Sequence, residues 1–282
     1  MIDTRRSSLT GVDTHAHIFS QHLPMTSQRR YSPDYDADVS QYLAHLDHCG
    51  LSHGVLVQPS FLGTDNSYML SALRQHADRL RGTAVVDPGI DDASLDALGD
   101  AGVVGIRLNL VGQTLDDYRK AHWQAFFSRL AGRGWSVEIQ RTLKDLESVV
   151  PAILASNVAV VIDHFGLPEG GAIDASRSEH RWFLDRLGEG NLWVKLSATY
   201  RSGLSLDQAR ASMDTLCNAL GHAERLVWGS DWPHTRFEEQ TDYEAQFALI
   251  DALMPDAALR RKVLIDNPTR LFMLDAQEAS PC

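Results

Sequence analysis

Eight short apolar runs recur along the chain, and their rhythm restricts its fold more than any other feature. They are VDTHAHI (12–18), HGVLVQP (53–59), GTAVVD (82–87), VVGIRLN (103–109), WSVEIQ (135–140), VAVVIDH (158–164), LWVKLS (192–197) and RLVWGS (225–230). Each is rich in Val, Ile or Leu and short, as strands buried on both faces of a parallel sheet are. Amphipathic stretches lie between them. DADVSQYLAHLDHCG (36–50), DDASLDALGDAG (91–102), KAHWQAFFSRLAGRG (120–134) and SLDQARASMDTLCNALG (205–221) all close on glycine, the usual residue just past a helix. DDASLDALGDAG also opens on acidic residues, which suit the positive end of a helix dipole. Eight strand–helix units predict one (β/α)8 barrel, a TIM barrel, over residues 1–282. A doubly wound open sheet shares the alternation and stands as the rival. Residues 19–35, FSQHLPMTSQRRYSPDY, are too many for an ordinary strand–helix loop and are expected over the barrel mouth.

Charge and cysteine content narrow the function. The 26 basic and 37 acidic residues give a net charge of −11, which argues against nucleic acid and anionic membrane as partners. A small anionic substrate stays admissible, because a local basic pocket can sit inside an acidic protein. The three cysteines, Cys49, Cys217 and Cys282, are widely spaced and form no CxxC, so neither a disulfide framework nor a thiolate zinc site is expected. The opening MIDTRRSSLTG lacks the apolar core of a secretory signal, and no apolar run is long enough to span a membrane. A cytoplasmic location is therefore expected, and a homo-oligomer is left open.

In a barrel of this kind the chemistry sits at the C-terminal ends of the strands. The first run carries Asp13, His15 and His17, which simple alternation places together, facing the mouth. Two histidines at i and i+2 on one strand make a chelating arrangement. Later strand ends carry Arg107 and Asn109, Glu138 and Gln140, Asp163 and His164, Lys195 and Ser197, then Arg201, and finally Asp231 in WGSDWPH. Imidazoles converging with a carboxylate suit a divalent ion such as zinc or manganese. They equally suit a metal-free site in which histidines polarise a carbonyl and Asp231 activates water. Plainer readings exist for each: core packing for the histidines, a helix cap for Asp231, aromatic packing for Tyr31 and solvation for Arg201. Asp13 suits orienting a histidine better than ligation. The remaining histidines fall mostly in helical or loop stretches and read as structural, with His234 the one to watch.

The segments VDTHAHIF, RRYSP, VQPSFLGTDN, AGVVGIRLNLV, VVIDHFG, VKLS, LVWGSDWPH and LIDNPTRLF, in this order, resemble the 2-pyrone-4,6-dicarboxylate lactonases of the amidohydrolase superfamily. The resemblance runs from about residue 11 to 273. It implies a hydrolase that opens a carboxylated lactone, with breakdown of aromatic compounds as a fitting context. It implies that His15, His17 and His164 bind a metal or the lactone carbonyl and that Asp231 is both a ligand and the general base. It implies that Tyr31, Arg107 and Arg201 hold substrate carboxylate. It leaves the metal open, since some members of this branch work without one. The chain departs from the family's pattern at Gly112-Gln113, where a basic pair is usual, at Gln140, where a tyrosine is, and at Leu167, where an arginine is. Positive charge is lost at two of these places. A metal-dependent decarboxylase of the same superfamily and a barrel that only binds its ligand are the alternatives.

Overall fold

The computed structural model describes residues 9–27 and 29–274. Eight parallel strands pair in chain order: β1 (Val12–Ala16), β2 (His53–Val57), β3 (Leu80–Ala84), β4 (Val103–Asn109), β5 (Ser136–Gln140), β6 (Ala159–Ile162), β7 (Leu192–Leu196) and β8 (Leu226–Trp228). Eight helices follow them in turn: α1 (Val39–His48), α2 (Ser67–Gln75), α3 (Asp92–Asp100), α4 (Ala121–Gly132), α5 (Leu143–Leu154), α6 (Ser178–Glu189), α7 (Leu206–Leu220) and α8 (Tyr243–Leu253). The short α9 (Ala257–Arg261) and α10 (Asn267–Leu271) come last. This is the expected (β/α)8 barrel. No described helix is long and apolar enough to cross a membrane.

Each apolar run contains a strand, with one shift. The third begins at Leu80 and stops at Ala84 instead of running to Asp87. The Asn66 side chain accounts for this end. It accepts from Val85 N at 3.1 Å and donates to Val85 O at 2.8 Å, so a side chain replaces the neighbouring strand. α1 and α7 start in capping boxes, Asp38 with Gln41 and Ser205 with Gln208. α7 stops at Gly221, whose φ of 68° a side chain would disfavour.

Two apolar layers result. The larger lies between strands and helices. The smaller joins Val55, Val104, Val161 and Val227, one from each even-numbered strand, to Leu271 and Phe272 at the end of the last helix. That is the layered filling of a barrel interior, capped at one end by α10.

A seam between β1 and the chain after β8 rules out the open sheet. His17 N donates to Trp232 O at 2.7 Å and Asp231 N to His15 O at 2.8 Å. Asp13 belongs to this seam, which corrects the alternation argument. Its carboxylate accepts from Ser230 N and Oγ, His15 N and the Tyr243 hydroxyl of α8. A register shift between Asp13 and Ala16 breaks the two-residue period, so Asp13 does not face the mouth with His15 and His17. Phe19 and Ala37 exchange backbone hydrogen bonds and pin the base of the long loop between β1 and α1.

Candidate active site

The barrel interior turns polar toward the C-terminal ends of its strands. The Lys195 ammonium of β7 lies 2.6 Å from Glu138 Oε2 of β5, 3.3 Å from Asp163 Oδ1 and 3.0 Å from His15 Nδ1. Arg107 of β4 reaches Asp163 Oδ2 at 3.3 Å and Gln140 Oε1 at 3.2 Å, with Glu138 Oε1 at 3.8 Å. All these residues are buried. Two carboxylates face an amine and a guanidinium, the pairing by which buried charge is tolerated.

Above this floor the ring nitrogens converge. His15 Nε2 and His17 Nε2 are 3.3 Å apart. Asp231 Oδ1 is 3.6 Å from His15 Nε2, 3.7 Å from His17 Nε2 and 3.9 Å from His164 Nε2. The outer atoms are held in place. His17 Nδ1 lies 2.6 Å from Val57 O, and a carbonyl only accepts, so Nδ1 carries the proton. Burial, with His15 and Arg107 nearby, holds His17 well below its ordinary pKa, leaving it neutral with a bare Nε2. His164 Nδ1 meets Ser197 Oγ at 2.8 Å, and burial pushes its pKa down to about 3. Asp231 Oδ2 accepts from the Tyr200 hydroxyl and from Arg201 Nε, each at 2.5 Å. Burial alone would raise the Asp231 carboxyl. Arg201, His164, His15 and His17 outweigh it and hold the group well below the carboxylate range. His164 and Asp231 both adopt positive φ, 53° and 63°, a strained setting that recurs at functional residues.

The bare atoms test the fit of a metal. His164 Nε2 and Asp231 Oδ1 are buried and have no hydrogen-bond partner among the described residues. Donor atoms of His15, His17 and Asp231 lie within 4.8 Å of one another, as do those of His15, Asp163 and His164. Imidazole nitrogens and a carboxylate oxygen, each fixed from behind, fit a divalent ion such as zinc or manganese.

A cavity of about 210 Å³ opens over this cluster, and His17, Tyr31, Arg107, Arg201 and Asp231 all line it. His15 and His164 lie buried beside it. The seven residues expected from the sequence thus gather at one end of the barrel. Their partners differ from simple expectation, however. Arg107 and Arg201 are engaged with acids of the protein, and the Tyr31 hydroxyl donates to Glu238 at 2.6 Å. The sequence carries no separate signal for Tyr200, Arg30 or Arg236, although Tyr200 adjoins Arg201, Arg30 adjoins Tyr31, and Arg236 lies two residues past His234. Arg30 and Arg236 line the cavity. His234 lies behind Tyr200, its Nδ1 3.1 Å from the hydroxyl that donates to Asp231.

Comparison with known proteins places this geometry. The sequence model of the family described as Amidohydrolase matches residues 12–274. The chain belongs to the amidohydrolase family. Among relatives, a 2-pyrone-4,6-dicarboxylate hydrolase of Comamonas testosteroni is 33% identical over 93% of this amidohydrolase and 89% of its own length. A 4-sulfomuconolactone hydrolase of Rhizobium radiobacter is 30% identical over 92% and 89%. A crystal structure from Pseudomonas putida, named as a 2-pyrone-4,6-dicarboxylic acid hydrolase, superposes with a TM-score of 0.89 at 41% identity, covering 96% of this chain and all of the other.

Proposed function

We propose that this amidohydrolase opens a lactone bearing anionic groups, by attack of water on the ring ester carbonyl. The observation that carries this reading is the free Oδ1 of Asp231, which faces three imidazole nitrogens at the floor of an arginine-lined cavity. The relatives named above act on lactones with carboxylate or sulfonate groups, which supports the same substrate class here.

The residues divide the work. Asp231 takes the proton of the attacking water at Oδ1, while Tyr200 and Arg201 hold Oδ2 and so fix the carboxylate plane. The neighbouring imidazoles of His15, His17 and His164 orient the carbonyl against that water. A zinc or manganese ion held by His15, His17, His164 and Asp231 would supply Lewis-acid polarisation and a more acidic water. The protonated Asp231 then returns its proton to the ring oxygen as the ester C–O bond breaks, leaving an alcohol or enol and a carboxylic acid, which releases its proton to solvent. Arg107 and Arg201 border the space where a substrate carboxylate lies, with Tyr31 at its edge.

The test is loss of ring absorbance from 2-pyrone-4,6-dicarboxylate and from a sulfonated muconolactone, with and without zinc or manganese. Asp231→Asn is expected to lower kcat roughly 10²- to 10⁴-fold while the fold persists. Undiminished turnover by that variant would remove Asp231 as the base.

A further inference from the structure

Four arginines line the cavity, and they are not equivalent. Arg107 faces Asp163 and Glu138, and Arg201 faces Asp231, so the charges of both are met inside the protein. Arg30 and Arg236 are exposed at the rim. Arg30 makes one side-chain bond, from Nη2 to Asn109 Oδ1 at 3.0 Å, and no acid pairs with it among the described residues. The Arg236 guanidinium has neither a hydrogen bond nor an ion pair among them. The nearby acid is already engaged: Glu238 Oε1 accepts from the hydroxyls of Tyr31 and Tyr35 and from the backbone N–H of Arg236.

We propose that Arg30 and Arg236 clamp a second anionic group of the substrate, remote from the ester carbonyl. The inference rests on the lactone-hydrolase reading and adds to it a residue pair that selects dianions. Two unpaired guanidiniums at one cavity rim are a site for a carboxylate or sulfonate, whose oxygens match the guanidinium fork. The Arg30 side chain runs beside Gly112, its Cδ 3.9 Å from where a Cβ on that glycine would stand. The loop after β1 thus supplies a cation at the place where the loop after β4 offers no side chain. The cluster also needs an anion. Partial desolvation at the cavity rim, then repulsion from Arg107, Arg236 and Arg201, pulls the pKa of Arg30 down, and a bound anion relieves that repulsion.

The test compares Arg30→Gln and Arg236→Gln with the parent in two assays. In the first, the ratio of kcat/KM for a dianionic lactone to that for its monoanionic analogue is expected to fall about tenfold to a hundredfold in each variant. The loss should lie in KM rather than kcat, and Arg30→Lys should restore part of it. A ratio equal to the parent's in both variants overturns the clamp. In the second, calorimetry measures binding of benzene-1,3-dicarboxylate, 3-sulfobenzoate and benzoate. The parent is expected to prefer a dianion to benzoate, and the variants to lose that preference. The tighter of the two dianions identifies the group. A parent that binds neither more tightly than benzoate overturns the proposal. If the parent opens no lactone but its dianion preference depends on Arg30 and Arg236, the function reading falls and the clamp stands.

Discussion

Lys195 has no solvent exposure and sits at the centre of the barrel against two carboxylates. It is held there by Glu138, Asp163 and His15, from β5, the end of β6 and β1. Removing one partner from a buried ionic cluster costs about 3–5 kcal/mol, because the remaining charges lose their compensation. Lys195→Met is expected to lose about that much stability in urea unfolding, and adding Glu138→Gln should recover part of it. A K195M protein as stable as the parent would show that these charges do not depend on one another. His17 supports a second expectation. Its proton is fixed on Nδ1 by Val57 O, so Nε2 offers a lone pair. Zinc or manganese added to chelator-treated protein should therefore raise the melting temperature, and His17→Ala should abolish the rise. No rise in the parent would assign the histidines to carbonyl orientation without an ion. His15, His17, His164 and Asp231 were legible in the sequence because each stands in a distinctive strand-end motif. Arg30 and Arg236 were not, because their value depends on lacking partners, and a partner's absence is visible only in three dimensions.

At the level of elements, the seam between β1 and β8 decides whether the site assembles. Gly229 makes the close approach possible: a Cβ there would lie 2.6 Å from His15 Cβ and 2.9 Å from His15 N. Gly229→Ala must push β8 away from β1, at a cost of about 1–3 kcal/mol. The same displacement moves His15 relative to Asp231, so kcat should fall together with the melting temperature. An unchanged kcat in a folded G229A protein would show that the seam does not position the site. Alternation read the strands correctly but failed at Asp13, where the register shifts. The four donors that Asp13 satisfies come from β1 itself, from the turn after β8 and from α8. Ser230 is 217 positions away in sequence, and only closure of the barrel brings it near.

For the whole molecule, the (β/α)8 architecture was legible because eight buried strands leave a repeated apolar signature, while the polar contents of the barrel depend on register across many strands. Those contents also set its response to acid. Burial pushes His164 down to about 3 and His234 down to about 4, against an ordinary value near 6.5. As pH falls through 6.5 the unfolded chain takes up these protons first, while the folded protein keeps both rings neutral. Their contribution to stability is therefore complete above about pH 6.5 and is lost progressively below it. His234 alone accounts for roughly 3 kcal/mol of that loss by about pH 4. Asp231 acts in the same direction lower down, since its carboxyl is held below the ordinary range and must be protonated as the chain unfolds in acid. With chelator present, so that metal release adds nothing, the urea midpoint is expected to fall steadily from about pH 6 toward pH 4. His234→Gln removes one of these depressed imidazoles and should flatten that slope. A midpoint that stays level down to pH 4 in the parent would mean that the interior accommodates imidazolium, and that burial does not keep these rings neutral.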